Sequence, residues 1–175
     1  MKKIISVVLF ISMLLSLTAC GTKELSASKL MKKSIPFEAH YIRTNYTDGE
    51  KYPQTLWIAN RRELINYLEM YNKKYDLIHN DNFKEILKKY DNEFFETHDL
   101  IFVLVEESSG SITHEVTDVI LKSSDKDAFV YSVQPVIKKT VPEVQTCDMA
   151  QWHIIIEVSE EYGKLKSDLQ DAVIK

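Results

Sequence analysis

The run LIFVLVE at 100–106 places apolar side chains at both alternating positions of any extended segment. A strand that is apolar on both faces has to be covered on both faces, so this run belongs in the middle of a sheet. A second β-rich run, QWHIIIEV at 151–158, closes the ordered pattern. Between them ITHEVTDVILK (112–122) and FVYSVQPV (129–136) are rich in Thr, Val and Ile, which favour strands. SSGS (108–111) and SSDKDA (123–128) separate them as turns. IKKTVPEVQ reads as a long connection, since Pro142 does not suit a central ladder.

Upstream, IPFEAHYIRTNY (35–46) and TLWIA (55–59) flank Asp48-Gly49 and read as a β-hairpin with a long connection. Asn60-Arg61-Arg62-Glu63 has capping-box spacing, and Leu64, Leu68, Tyr71 and Tyr75 then recur at helical intervals. Asn82 to Glu85 repeats the start signal before Phe83, Ile86, Leu87 and Tyr90. The fold class is α+β: a mainly antiparallel sheet of about six strands, with one or two helices inserted after the first hairpin. Residues 35–162 read as a single domain and 163–175 as a polar closing segment.

The first twenty residues are of another kind. Lys2 and Lys3 precede an apolar stretch from Ile4 to Leu17 that is short for a bilayer span, and LTAC follows. This is the pattern of a cleaved leader, residues 1–19. LTAC resembles the lipobox of bacterial lipoproteins, and that resemblance implies a diacylglycerol on the Cys20 thiol and cleavage that makes Cys20 the first residue. Membrane attachment through Cys20 on the extracytoplasmic face is the expectation. Two acyl chains hold a protein on a membrane where one is marginal. Residues 20–34 are polar and read as a tether.

Charge narrows the function classes. The chain has 22 basic and 26 acidic residues, and losing Lys2 and Lys3 deepens its net charge of −4 by two units. No basic stretch with interleaved aromatics occurs, so nucleic acid is not an expected partner. Acylated Cys20 leaves Cys147 without a partner thiol, and the domain must rest on its core.

The candidate site residues are Cys147, Asp148 and His153, within TCDMAQWHIII at 146–156. A thiol, a carboxylate and an imidazole are the groups of nucleophilic or zinc chemistry. Alternation, however, puts Trp152 with Ile154, Ile156 and Val158 on a core face. His153 falls on the other face beside Glu157, expected half wet. Cys147 lies before the strand and His153 within it, about two strand repeats apart if extended, and a zinc ion would also require His114 and Asp148 to converge. The simpler expectation is a buried or half-buried thiol, with Asp148 capping a turn. His40, His79 and His98 are isolated; SASK and SSDK match Ser-x-x-Lys without its companion motifs; and no P-loop, GxSxG or CxxC occurs. No cofactor and no metal are expected.

From about Asp99 to Val158, DLIFVLVEESSGS, THEVTDVILK, AFVYSVQPV and the closing WHIIIEV strand together resemble the C-terminal domain of PrcB-type lipoproteins. The resemblance implies a small, mostly β domain that binds or assists a partner, and it carries over no catalytic residue. Here SSGSIT replaces a Gly-Gly-Tyr-like turn, and the Cys-Asp-Met-Ala segment is this chain's own. The functional expectation is a lipid-anchored, non-enzymatic binding or accessory module for a surface protease or another envelope partner. The alternatives are a thiol- or metal-dependent site on Cys147 and His153, and a solute-binding lipoprotein.

Overall fold

The computed structural model describes residues 32–123 and 131–175. Residues 1–31, which hold the expected leader, Cys20 and most of the expected tether, lie outside the described residues. The elements in chain order are β1 (Lys32–Ser34), β2 (Glu38–Thr44), β3 (Gln54–Ile58), α1 (Arg61–Tyr75), α2 (Asp81–Leu87), β4 (His98–Glu107), β5 (Thr113–Ser123), β6 (Tyr131–Thr140), β7 (Ala150–Ser159), α3 (Glu160–Leu165), β8 (Lys166–Leu169) and β9 (Val173–Ile174). Short 3₁₀ turns at Leu77–His79 and Phe94–Glu96 frame α2 and lead into β4.

The strands form two sheets rather than one. The first has the order β2-β7-β4-β3; the second has β1-β5-β6-β8, with β9 also on β6. The doubly apolar strands β4 and β7 lie side by side at the centre of the first sheet, paired from His98 opposite Ser159 to Glu107 opposite Ala150. This explains why β2 and β3 are not the expected hairpin. Two strands that must be covered on both faces occupy the centre, so β2 pairs with β7 and β3 with β4 at opposite edges.

One face of β4 and β7 (Ile101, Val103, Val105, Ile154, Ile156, Val158) packs on Val116, Val119, Leu121, Val133 and Ile137 of the second sheet. The opposite face (Leu100, Phe102, Leu104, Ile155) packs on Leu64, Tyr67, Tyr75 and Phe83 of α1 and α2. The result is three layers: sheet, sheet, helices. α1 begins where the capping box placed it, with the Asn60 side chain accepting from the Glu63 N–H at 2.9 Å and Glu63 reaching back to the Ala59 N–H at 2.7 Å. α2 starts earlier than expected, because Asn80 rather than Asn82 caps it, accepting from the Phe83 N–H at 3.1 Å.

Three other boundaries differ from the sequence reading. Lys32–Ser34, expected in the tether, pairs with β5. β6 runs on through Thr140, into the expected connection. Residues 163–175 are not a plain polar segment: β8 and β9 run parallel to β6, and Lys175 exchanges backbone hydrogen bonds with Lys139 and Ile137 at 2.8 and 2.9 Å. Backbone pairing at a sheet edge needs little apolar side-chain signal, which is why polarity concealed these strands. Pro135 falls between the stretches of β6 paired with β8 and with β9.

Candidate functional site

Strand β7 alternates as expected, and Trp152 packs partly buried against the inter-sheet core. The face expected to be half wet is not. α1 and α2 cover it, and His153 is 0% exposed. Its Nε2 is 2.8 Å from the Tyr67 hydroxyl and its Nδ1 is 2.9 Å from the Thr44 hydroxyl. The rings of Tyr75, Phe83 and Tyr67 surround it edge-on at 5.0, 5.7 and 6.1 Å. Burial lowers its pKa to about 3. A neutral imidazole offers one donor and one acceptor, and the two hydroxyls take both.

Cys147 is exposed, not buried or half-buried as expected. It lies in the loop joining β6 to β7, which the turn between β4 and β5 grips. Asp148 pairs with Arg43 and accepts from the Gly110 N–H at 3.2 Å. Hydrogen bonds from Thr146, Arg43 and the Gly110 N–H hold its carboxyl at a pKa of about 2. Ser109 is 2.9 Å from the Thr146 hydroxyl and 2.7 Å from that of Ser111. A Cβ on Gly110 would collide with the Arg43 guanidinium and the Asp148 carboxylate, so the glycine is what lets the two loops meet. SSGS is thus spent on anchoring the loop. The sequence candidates do not converge: Asp148 bonds Arg43, Gly110 and Thr146; His153 bonds Thr44 and Tyr67; and the thiol faces outward. His114, the further zinc ligand considered, is engaged by Glu107 instead.

Two clusters built on buried carboxylates escaped the sequence reading. Glu157 accepts from Lys89 Nζ at 2.7 and 2.9 Å, from the Tyr90 hydroxyl at 3.0 Å, and lies 2.8 Å from His40 Nε2. Burial pushes its pKa up, but the hydrogen bonds of Lys89, His40 and Tyr90 and the Lys89 charge outweigh that, so the net shift is downward. Glu107 is held in the same manner by His114 at 2.8 Å and Lys139 at 2.5 Å. These partners lie 117 and 68 residues from Glu157 in the chain for His40 and Lys89, and no local spacing announces them. Glu38, His40 and Glu157 bring their ligand atoms within 4.8 Å of one another, but the Lys89 ammonium already supplies the positive charge there.

Beside this cluster a groove of about 620 Å³ runs between the edge strand β2 and α2, lined by Ala39, His40, Tyr41, Ile42, Ile86 and Lys89 among others. The Asn80 side chain, which caps α2, donates its amide to the Arg43 carbonyl at 2.7 Å. The Arg43 guanidinium in turn pairs with Asp148 of the β6–β7 loop. No helix among the described residues is long and apolar enough to cross a membrane. No family profile, curated protein or solved structure matches the chain.

Proposed function

We propose that this protein is a lipid-anchored, non-enzymatic binding or accessory module on the extracytoplasmic face of the cell membrane. The observation that carries the reading is the β6–β7 loop. It exposes Val141, Met149 and, at 85%, Val144, although Asp148, Thr146 and Gly110 tie it to the neighbouring turn. Apolar side chains held out on a fixed loop lose little conformational freedom on docking, and a partner that covers them gains the transfer free energy. The likeness of LTAC to a lipobox and of residues 99–158 to PrcB-type lipoproteins supports the same reading. A protein partner at the cell surface follows from it.

The test uses the full chain in its native membrane. A photocrosslinking residue at Val144 should give a discrete adduct with another protein, and one at exposed Glu69 on α1 should not. Cys20→Ala should abolish fatty-acid labelling and release the chain from membranes. A Val144 probe that captures nothing, or only what the Glu69 probe captures, refutes the binding role. Unchanged lipid labelling of Cys20→Ala refutes the anchor.

A further inference from the structure

Successive residues of a strand turn their backbone N–H and C=O groups to opposite edges. In the segment that forms β1 and β2, the Ile35 N–H bonds the Val119 carbonyl at 2.9 Å, and the Arg43 carbonyl accepts from Asn80. The odd-numbered residues therefore face away from β7, while Glu38, His40, Ile42 and Thr44 hold the β7 ladder opposite Glu157, Ile155, His153 and Gln151. Ala39 and Tyr41 present two N–H and two C=O groups along an open edge, and no described residue bonds them. The second sheet does not close this edge. β1 pairs with β5 only at Ile120 to Lys122, and farther along the Val116 N–H donates instead to the Tyr41 hydroxyl at 2.7 Å. An open strand edge bordering a groove is an arrangement that takes up an extended peptide.

We propose that β2 and this groove receive an extended, basic peptide segment of a protein partner, which adds as a fifth strand beside β2. This rests on the binding-module reading above and names the class of partner. The backbone groups of Ala39 and Tyr41 give the pairing. Ile86, partly buried, offers apolar contact to side chains on the helix side. The charge at the rim selects the sign: Lys89 is shared between Glu157 and Glu38, so the carboxylates of Glu38, Glu85 and Glu157 outnumber the ammonium groups of Lys88 and Lys89, and the Glu38 and Glu85 side chains stand 63% and 75% exposed. Glu85 is met only by the equally exposed Lys88, a surface pair that contributes little.

The probe is a short fluorescein-labelled peptide alternating lysine and valine, added to the full chain and followed by fluorescence anisotropy and by hydrogen exchange. Binding should protect the Ala39 and Tyr41 amides. Ala39→Pro removes one outward N–H without touching the β7 ladder, and the extended Glu38 before it suits a following proline. It should weaken binding about tenfold, the cost of leaving a peptide carbonyl unpaired. A peptide N-methylated at alternate residues should lose binding to the unaltered chain in one of its two registers only, and a glutamate-for-lysine peptide should bind at least about tenfold more weakly. The inference is overturned if the lysine–valine peptide does not bind, if both N-methylated registers bind as well as the parent, or if the two amides stay unprotected. Partner capture at Val144 together with failure of the peptide would remove this edge and leave the binding module standing. Failure of capture with the peptide bound would do the reverse.

Discussion

Because His153 is sealed under α1 and α2, its titration should be written into the stability of the whole protein. Its pKa is about 3 in the folded chain against an ordinary 6.5. Between those values the unfolded chain carries a proton on this ring and the folded chain does not, so unfolding free energy rises with pH across the window. The contribution is fully present above pH 6.5 and is lost as pH falls, at up to about 1.4 kcal/mol per unit. From pH 7.5 to 4.5 the loss comes to about 2.7 kcal/mol. That is a large share of the roughly 5–15 kcal/mol that holds a domain of this kind. Asp148 and Glu157, whose carboxyls are lowered, act in a different window: their stabilisation is present above their ordinary values of 3.8 and 4.5 and fades below them. His153→Gln keeps a donor and an acceptor for Tyr67 and Thr44 and has nothing to titrate. The assay is urea unfolding of both chains at several pH values from 7.5 to 4.5. The native chain should lose about 2.7 kcal/mol more than the variant over that range, whatever the variant's cost at neutral pH. Parallel pH curves would show that the imidazole is not sealed from water, and the burial argument would fail.

Two further outcomes follow from single contacts. Gly163 in α3 lies so close to Asp99 that an added Cβ would overlap its carboxylate, which the Trp57 indole N–H bonds at 2.9 Å. Gly163→Ala should therefore destabilise by about 1–3 kcal/mol, read as a lowered melting midpoint, and an unchanged midpoint would mean that Asp99 yields freely. Cys147, exposed and without contact to an imidazole, should alkylate with iodoacetamide at the rate of a free model thiol, with His153→Gln leaving that rate unchanged. Fast alkylation that slows in the variant would revive the thiol site.

Local chemistry was legible where one segment carries its own reason. The capping box of α1, the alternation of Trp152 and His153, and the two-faced run of β4 each depend on side chains within a few residues of one another. The strands of 163–175 were not legible, since an edge strand pairs through its backbone. Nor were the Glu157 and Glu107 clusters, whose histidines and lysines come from separate elements.

The sequence by itself determined the α+β class and the central place of 100–105, because an apolar residue at every position admits no solvated face. It also determined the side of the strand on which His153 lies, because the period of a strand is fixed. Only the tertiary structure decided that this side is sealed by α1 and α2, that Cys147 faces water, and that β2 and β3 part to opposite edges. Each of these depends on which distant segment covers a given face, and pairings between segments far apart in the chain leave no mark on local spacing. The open edge at Ala39 and Tyr41 arises in the same way: two strands that must be buried take the centre, and β2 is left with one side unpaired.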